Sequence, residues 1–458
     1  MASVPRFAIP APVVELCTRL RRAGHATFLV GGCVRDLLLG RPVADYDVAT
    51  AAEPEQVRRL FSHTVPTGIA HGTVTVMTGR DASGQWQGVE VTTFRGEGPY
   101  SDARRPDSVR FVSSIEEDLA RRDLTINAIA YDPVDDRLVD PHDGEDDVSR
   151  RRIRAVGEAI DRFREDGLRP MRAVRLAAVL SFEVDPTVRA AIPAALDSFR
   201  KVAAERVRDE LLKMLAAPRP SVGLLLMHET GLLGEVLPEL IEGVGLVQNR
   251  FHAHDVFQHA LHSCDQARGD PVLRLAALLH DVGKPRAAQP RPEDPCENTF
   301  YRHELLGADM ADAIARRLRL SNAERERIVG LVRHHMFFYT DDWSPPTVRR
   351  FIRRVGKENL EDLFALRAAD VAARGRNEDP EREIAAVRQR VADALSQEAA
   401  LKVTDLALRG ADVMRILGVP PGPRVGWILR QLLERVIEDP ALNTPTGLDA
   451  LVRELGPG

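Results

Sequence analysis

The 458-residue sequence is poor in the features that would place it in a membrane, in a secreted disulfide scaffold or in a zinc module. Its four cysteines, Cys17, Cys33, Cys264 and Cys296, are scattered without paired ligand spacing. They read as reduced thiols, which suits a cytoplasmic protein. No run of about 18 apolar residues occurs, so no membrane-spanning helix is expected. The opening MASVPRFAIPAPVVELCTRLRR lacks the basic start and apolar stretch of a secretory leader. Repeats and low-complexity segments are missing too. Lysine is scarce: only Lys201, Lys213, Lys284, Lys357 and Lys402 stand among 63 cations. Arginine suits bidentate phosphate contacts, but a bias in base composition explains the imbalance equally well. The net charge of −5 offers no global basic footprint. A local groove can still hold RNA while carboxylates elsewhere hold metals, so charge excludes neither.

What is present begins with Phe28 to Thr50, FLVGGCVRDLLLGRPVADYDVAT. Ala26 to Val30 reads as a short buried strand, and Gly31-Gly32 as a tight turn that lets a ligand approach the backbone. Val34 to Leu39 then reads as helical turns whose first N–H groups suit an anion. Asp45 and Asp47 follow. If Asp45 to Val48 is a strand, both carboxylates share one side and can share divalent metal. A glycine turn or a D-x-D pair alone is usually a surface turn or a solvated strand end. Together, in one strand–turn–helix–strand unit, they point to nucleotide chemistry.

The fuller string, GG-x-VRD-x-LLG followed by DYDVAT, resembles class II tRNA nucleotidyltransferases (CCA-adding enzymes) and bacterial poly(A) polymerases. The resemblance implies an α+β N-terminal nucleotidyltransferase head followed by an all-α neck, HD domain and tail. We expect boundaries of 1–155 for the head, 156–244 for the neck, 245–378 for the HD domain and 379–458 for the tail. It implies Mg²⁺ held by Asp45 and Asp47, with Glu90 on the strand GVEVTTFR as a third acid. Gly31, Gly32, Arg35 and Arg122 would hold the nucleotide. In RRD-x-TINA, Asp123 would read the ribose 2′-hydroxyl and Asn127 would support the site. The polar stretch Arg95 to Val112, with Asp102, Arg105 and Pro106, matches a loop implied to help switch specificity from C to A. Asp140 to Gly144, DPHDG, departs from the family's D-P-x-G-G by placing Asp143 at the first glycine.

Phe163 to Leu180 reads as one strongly helical run carrying Glu165, Asp166, Arg169 and Arg172. On a helix, Glu165 and Asp166 lie one turn before Arg169, so the three can cluster, although such a set is usually a solvated salt bridge. The resemblance makes Asp166 and Arg169 base readers, with Glu165 orienting Arg169. C and A both present an exocyclic amine beside an unprotonated ring nitrogen, so a carboxylate and a guanidinium can read either. U and G offer the opposite polarity, leaving unpaired buried groups at about 1–3 kcal/mol each. Pro170 departs from the family pattern. Either a helix begins there, where proline is tolerated, or the reading turn is altered. Lys201 to Leu215 matches an ERI-type motif that braces the neck.

Beyond Gly245 the chemistry changes. His259, His280-Asp281, His303, His334 with His335 beside it, and Asp370 occur in an otherwise helical stretch. A lone histidine on an apolar helix is usually a satisfied core residue. The order H…HD…H…H…D resembles HD-superfamily phosphohydrolases, with His259, His280, Asp281, His303, His334 and Asp370 as the expected ligands. Such imidazoles and carboxylates suit Mn, Ni, Co, Fe or Zn, and paired metals activate water against a phosphoester. His254-Asp255 reads as a decoy. Arg349, Arg350, Arg353, Arg354 and Lys357 form a candidate RNA-phosphate face, and Arg376 to Asp379 a linker. The tail, Lys402 to Leu455, is expected against tRNA. The expected reaction joins a tRNA 3′ end to CTP or ATP and releases pyrophosphate. An A-adding enzyme or poly(A) polymerase shares every head motif. A phosphohydrolase with a vestigial head, and a non-catalytic RNA-binding module, fit the intact D-x-D, RRD and E-D-x-x-R sets less well.

Overall fold

The computed structural model describes residues 6–69, 72–80, 86–96, 110–248, 253–291, 294–340, 342–375, 379–396 and 401–456. Asp102, Arg105 and Pro106 of the expected loop, and Arg376, Asn377 and Glu378 of the expected linker, lie outside these residues. The chain forms two compact units, Met1–Pro238 and Glu239–Gly458.

The first unit is built on a seven-stranded mixed sheet of β1 (Thr27–Val30), β2 (Asp47–Thr50), β3 (Thr64–Gly68), β4 (Thr73–Arg80), β5 (Trp86–Thr93), β6 (Ala130–Asp132) and β7 (Arg137–Val139). The spatial order is β3-β4-β5-β2-β1-β6-β7, and within it β2 and β5 pair in parallel. β1 is buried at all four positions, as an unbroken run of apolar and hydroxyl side chains demands of a central strand. Phe28, Val30, Ala49, Phe94, Ile115, Leu119, Ala128 and Ala130 pack into one core beneath the sheet. The central strands thereby hold the two acidic positions Asp47 and Glu90 in register with each other.

Two local expectations change. The strand after the glycine turn starts at Asp47, so Asp45 precedes it in a loop. The run Phe163 to Leu180 is not one helix: a helix Ala159–Glu165 ends, and a second, Arg169–Leu180, begins with Pro170 in its first turn. Proline lacks an N–H, and a first-turn N–H has no helical partner, so the break costs little there. Gly167 makes the break possible. A Cβ on it would lie 2.2 Å from the Ser198 carbonyl oxygen, so only hydrogen fits between the two backbones. Asp143 takes a left-handed conformation (φ 58°), which explains why the family pattern prefers glycine there and why aspartate is tolerated.

Among its described residues the second unit has helices and one small hairpin, Gln289–Arg291 with Asp294–Thr299. No helix among the described residues is long and apolar enough to cross a membrane. The expected RNA face on the helix Pro345–Val355 is committed elsewhere. Arg349 is buried and donates to the carbonyls of Ile437 and Glu438, while Arg350 and Arg353 pair with Glu438 and Glu434. These arginines dock the helix Pro423–Glu438, whose apolar stripe Val425, Ile428, Leu432, Leu433 and Val436 fills the tail's core.

Candidate active site and metal centre

The head motifs open onto one cleft of about 730 Å³, lined among others by Gly31, Gly32, Arg35, Asp45, Asp47, Arg122, Asp123, Asn127, Asp166, Arg169 and Arg172. Gly31 sits at φ 78°, and a Cβ there would come within 3.1 Å of Arg122 Nη1 and 3.8 Å of Asp47 Oδ2. Both the turn and the close approach therefore require glycine. Asp47 pairs with Glu90 across β2 and β5. Its carboxyl is pushed up to about 6, by burial of one side and then by the negative charges of Glu90 and Asp45, against the opposing pull of Arg122. Mutual repulsion of this kind is relieved by a bound cation, so the donor set fits a divalent metal. Glu90 belongs to this acidic wall through its strand pairing with Asp47.

The RRD segment follows a short helix, Ile115–Ala120, capped by Ser114. Asp118 within that helix is buried and accepts from Arg121 and Arg122 at 2.7 and 3.1 Å. Burial alone would raise this carboxyl, but the two guanidiniums hold it below the usual range. Arg122 is thus aimed at the glycine turn by a fixed partner. Arg35 is set by Asp36 and by Asn127, whose Oδ1 accepts from Nη1 at 2.7 Å. Asp123 is buried, accepts from Arg172 Nε at 2.7 Å, and is held well below the carboxylate range because Arg172 and Arg169 outweigh its burial.

The break at Asp166 places the base-reading residues differently from a single helix. Glu165 still accepts from Arg169 Nη1 at 2.6 Å, and Arg169 also donates to the carbonyls of Arg162 and Arg121. Asp166, however, turns to Arg206, which grips it through both Nη atoms at 3.1 and 2.7 Å. Each reader is thereby held by its own partner. Sequence reasoning missed Arg206, and also Arg95, Arg175 and Lys213 in the cleft wall. The ERI-type motif was the available signal for Arg206 and Lys213.

In the second unit, two groups of donors each converge within 4.8 Å: His259, His280 and Asp370, and Asp281, His303 and His335. Among the described residues no such trio forms in the head. His335 replaces the expected His334. The helix Asn322–His334 ends there, and His335 turns inward, 2% exposed, while His334 is half-buried outside the cluster. Asp281 lies between the groups: Oδ2 is 3.1 Å from His280 Nε2, and Oδ1 is 3.2 Å from His303 Nε2.

The ring orientations are set from behind. Nδ1 of His280, His303 and His335 lies 2.7 Å from the carbonyls of Ala277, Phe300 and Val332, and Nδ1 of His259 lies 3.3 Å from that of Ala373. A carbonyl only accepts, so each Nδ1 carries a proton, and in the neutral ring each Nε2 presents a lone pair inward. In the neutral ring His280 Nε2 is buried with no donor to satisfy it, since the Asp281 carboxylate 3.1 Å away only accepts. A metal satisfies such an atom, so the residues fit one. Gly283 lets the two helices meet: a Cβ there would lie 2.3 Å from the His303 carbonyl oxygen. Its role is close approach, since its φ of −80° is open to any residue. Asp255 accepts from the Gln258 and Gly245 N–H groups as a helix cap, which removes it from the ligand set.

Comparison with known proteins agrees with this geometry. The family profile described as "Poly A polymerase head domain" matches residues 27–154, "Probable RNA and SrmB- binding site of polymerase A" matches 181–243, and "HD domain" matches 243–396. An A-adding tRNA nucleotidyltransferase from Deinococcus radiodurans is 38% identical over 89% of this chain and 90% of its own. A CCA-adding enzyme from Levilactobacillus brevis is 33% identical over 98% of both chains. A CCA-adding enzyme from Bacillus stearothermophilus, solved with CTP, aligns with 97% of this chain and 98% of its own at a TM-score of 0.69 and 30% identity. The chain belongs to the class II tRNA nucleotidyltransferase (CCA-adding enzyme) and bacterial poly(A) polymerase family of nucleotidyltransferases, with an HD domain following the head.

Proposed function

We propose that the chain adds C and A to the 3′ end of tRNA from CTP and ATP in the cytoplasm. The RNA 3′-hydroxyl attacks the α-phosphate, a new P–O bond forms, and pyrophosphate leaves with the broken bond's electrons. Asp45 and Asp47 would hold the Mg²⁺, with Glu90 completing the acidic wall. Magnesium there supplies charge stabilisation for the attacking and leaving oxygens. Arg35 and Arg122 face the triphosphate at the Gly31-Gly32 turn, and Asp123 receives the ribose hydroxyl. Positioning and charge account for most of the catalysis.

The observation that carries this reading is that Asp166 and Arg169, held by Arg206 and Glu165 respectively, line the same cleft as Asp45 and Asp47. An acceptor beside a donor fits the amine and ring nitrogen of both C and A, and it leaves U and G mispaired. A second reading, an A-adding enzyme, is favoured by the 38% identity with the Deinococcus radiodurans relative. The test is nucleotide addition to tRNA transcripts ending before C, after C and after CC, given CTP, ATP or both. CCA added and then stopped is the expected product. A single A added solely to the CC-ended transcript supports the second reading, and a long A ladder overturns both in favour of a poly(A) polymerase.

For the second unit we propose a two-metal phosphohydrolase site. His259, His280 and Asp370 would hold one transition-metal ion, and Asp281, His303 and His335 the other, and the metals would supply an activated water. The division into head, neck, HD domain and tail at 155, 244 and 378 is proposed on the same footing.

A further inference from the structure

The cleft of the first unit carries eight cations, Arg35, Arg95, Arg121, Arg122, Arg169, Arg172, Arg175 and Lys213. Lys213 alone of the eight has no hydrogen-bond or ion-pair partner among the described residues. It is the one lysine in the wall, in a chain with five. Its freedom has a local cause. Glu210, one turn earlier on the helix Ala204–Leu215, is buried and accepts from Arg175 Nε at 2.5 Å, so it is not available to Lys213.

Position separates this end of the wall from the nucleotide's share. Arg169, Arg172 and Arg175 succeed one another on the helix Arg169–Leu180, so Arg175 stands about 9 Å along the axis from Arg169. Arg172, midway, is committed to Asp123. With the base placed at Asp166 and Arg169 and the triphosphate at the Gly31-Gly32 turn, Arg175, Leu176 and Lys213 are left in the lining with no nucleotide group assigned to them. The other substrate is the RNA end itself.

We infer that Lys213, left without a partner because Glu210 is taken by Arg175, seats a phosphodiester of the RNA 3′ end. The inference rests on the functional reading above. An ammonium on a flexible stem is a point charge with no fixed fork, so it can follow a phosphate that shifts after each addition. The paired arginines around it have fixed directions and suit the nucleotide, which returns to one place each cycle. Lys213 is a positioning residue: it holds the strand whose hydroxyl reacts.

The test uses the full chain as wild type, Lys213→Met and Lys213→Arg. Binding of a CC-ended tRNA is measured by fluorescence anisotropy without nucleotide, from 50 to 200 mM salt, and the KM for ATP is measured in the addition reaction. Lys213→Met is expected to weaken RNA binding about fivefold and to lower the salt slope by about 0.7, the loss of one phosphate contact. Lys213→Arg retains most of the binding, and the KM for ATP stays within about twofold. Lys213 is exposed, so Lys213→Met is expected to fold. Unchanged affinity and slope overturn the inference. A raised KM for ATP with unchanged RNA binding also overturns it, because Lys213 would then touch the triphosphate. A wild-type chain that extends no tRNA overturns the functional reading instead.

Discussion

The head cleft and the HD cluster both gather carboxylates for metal, yet they are built in opposite ways. In the head, Asp45, Asp47 and Glu90 stand at an open wall, where Asp47 reaches solvent and its carboxyl is pushed up to about 6. In the HD cluster, His259, His280, Asp281, His303, His335 and Asp370 are each no more than 6% exposed. There Asp281 and Asp370 are held well below the carboxylate range, because imidazoles and nearby cations outweigh burial. The difference fits the occupants proposed for each site. Mg²⁺ keeps waters and shares its shell with substrate phosphates, so a site that takes it with a nucleotide must stay open. A resident transition metal favours a closed shell whose imidazoles are locked from behind, as the four Nδ1–carbonyl contacts do here.

The contrast is broken most sharply by crossing the two sites. Asp47→Ala should lower nucleotide addition by about a thousandfold or more, as loss of a metal-binding acid in a phosphoryl-transfer site does. Its transition-metal content, read by mass spectrometry, should stay unchanged. Asp281→Ala should strip the HD metals and any hydrolysis while addition continues. Addition surviving Asp47→Ala removes the head metal assignment. A smaller effect separates neighbours: His335→Ala should remove one of two HD metals, whereas His334→Ala should keep both. Equal metal loss in the two variants would show that the inward turn at His335 does not select the ligand. The smallest effect is graded with pH. Asp47 is protonated below about 6, and Mg²⁺ must displace that proton. The apparent Kd for Mg²⁺ should therefore rise about tenfold per pH unit as pH falls below 6, and level off above it. A flat dependence between pH 5 and 7 would refute the crowding of Asp47 by Glu90 and Asp45.

Much of both sites was legible before the fold was in view, where the chemistry lies in contiguous strings. Gly31-Gly32, Asp45, Asp47, Arg122, Asp123 and Asn127 fall on turns and strand ends whose local geometry follows from a few residues. What escaped was set by helix phase or by distant partners. His334 and His335 differ by one step of about 100° around a helix, and only the packing of that helix decides which points inward. The run Phe163 to Leu180 has helical composition throughout, so the break at Asp166 is invisible without the Ser198 backbone pressing on Gly167.

The sequence by itself determined that a nucleotidyltransferase head precedes a helical region rich in histidine–aspartate motifs, because those motifs are short and their order is unambiguous. Tertiary structure alone decided who holds whom. It assigned Asp166 to Arg206 across 40 residues, Arg349 to the carbonyls of Ile437 and Glu438, and Asp281 to a place between two donor groups. The physical reason is that a charged side chain takes the partner that packing brings within about 3 Å, and separation along the chain places no limit on that choice.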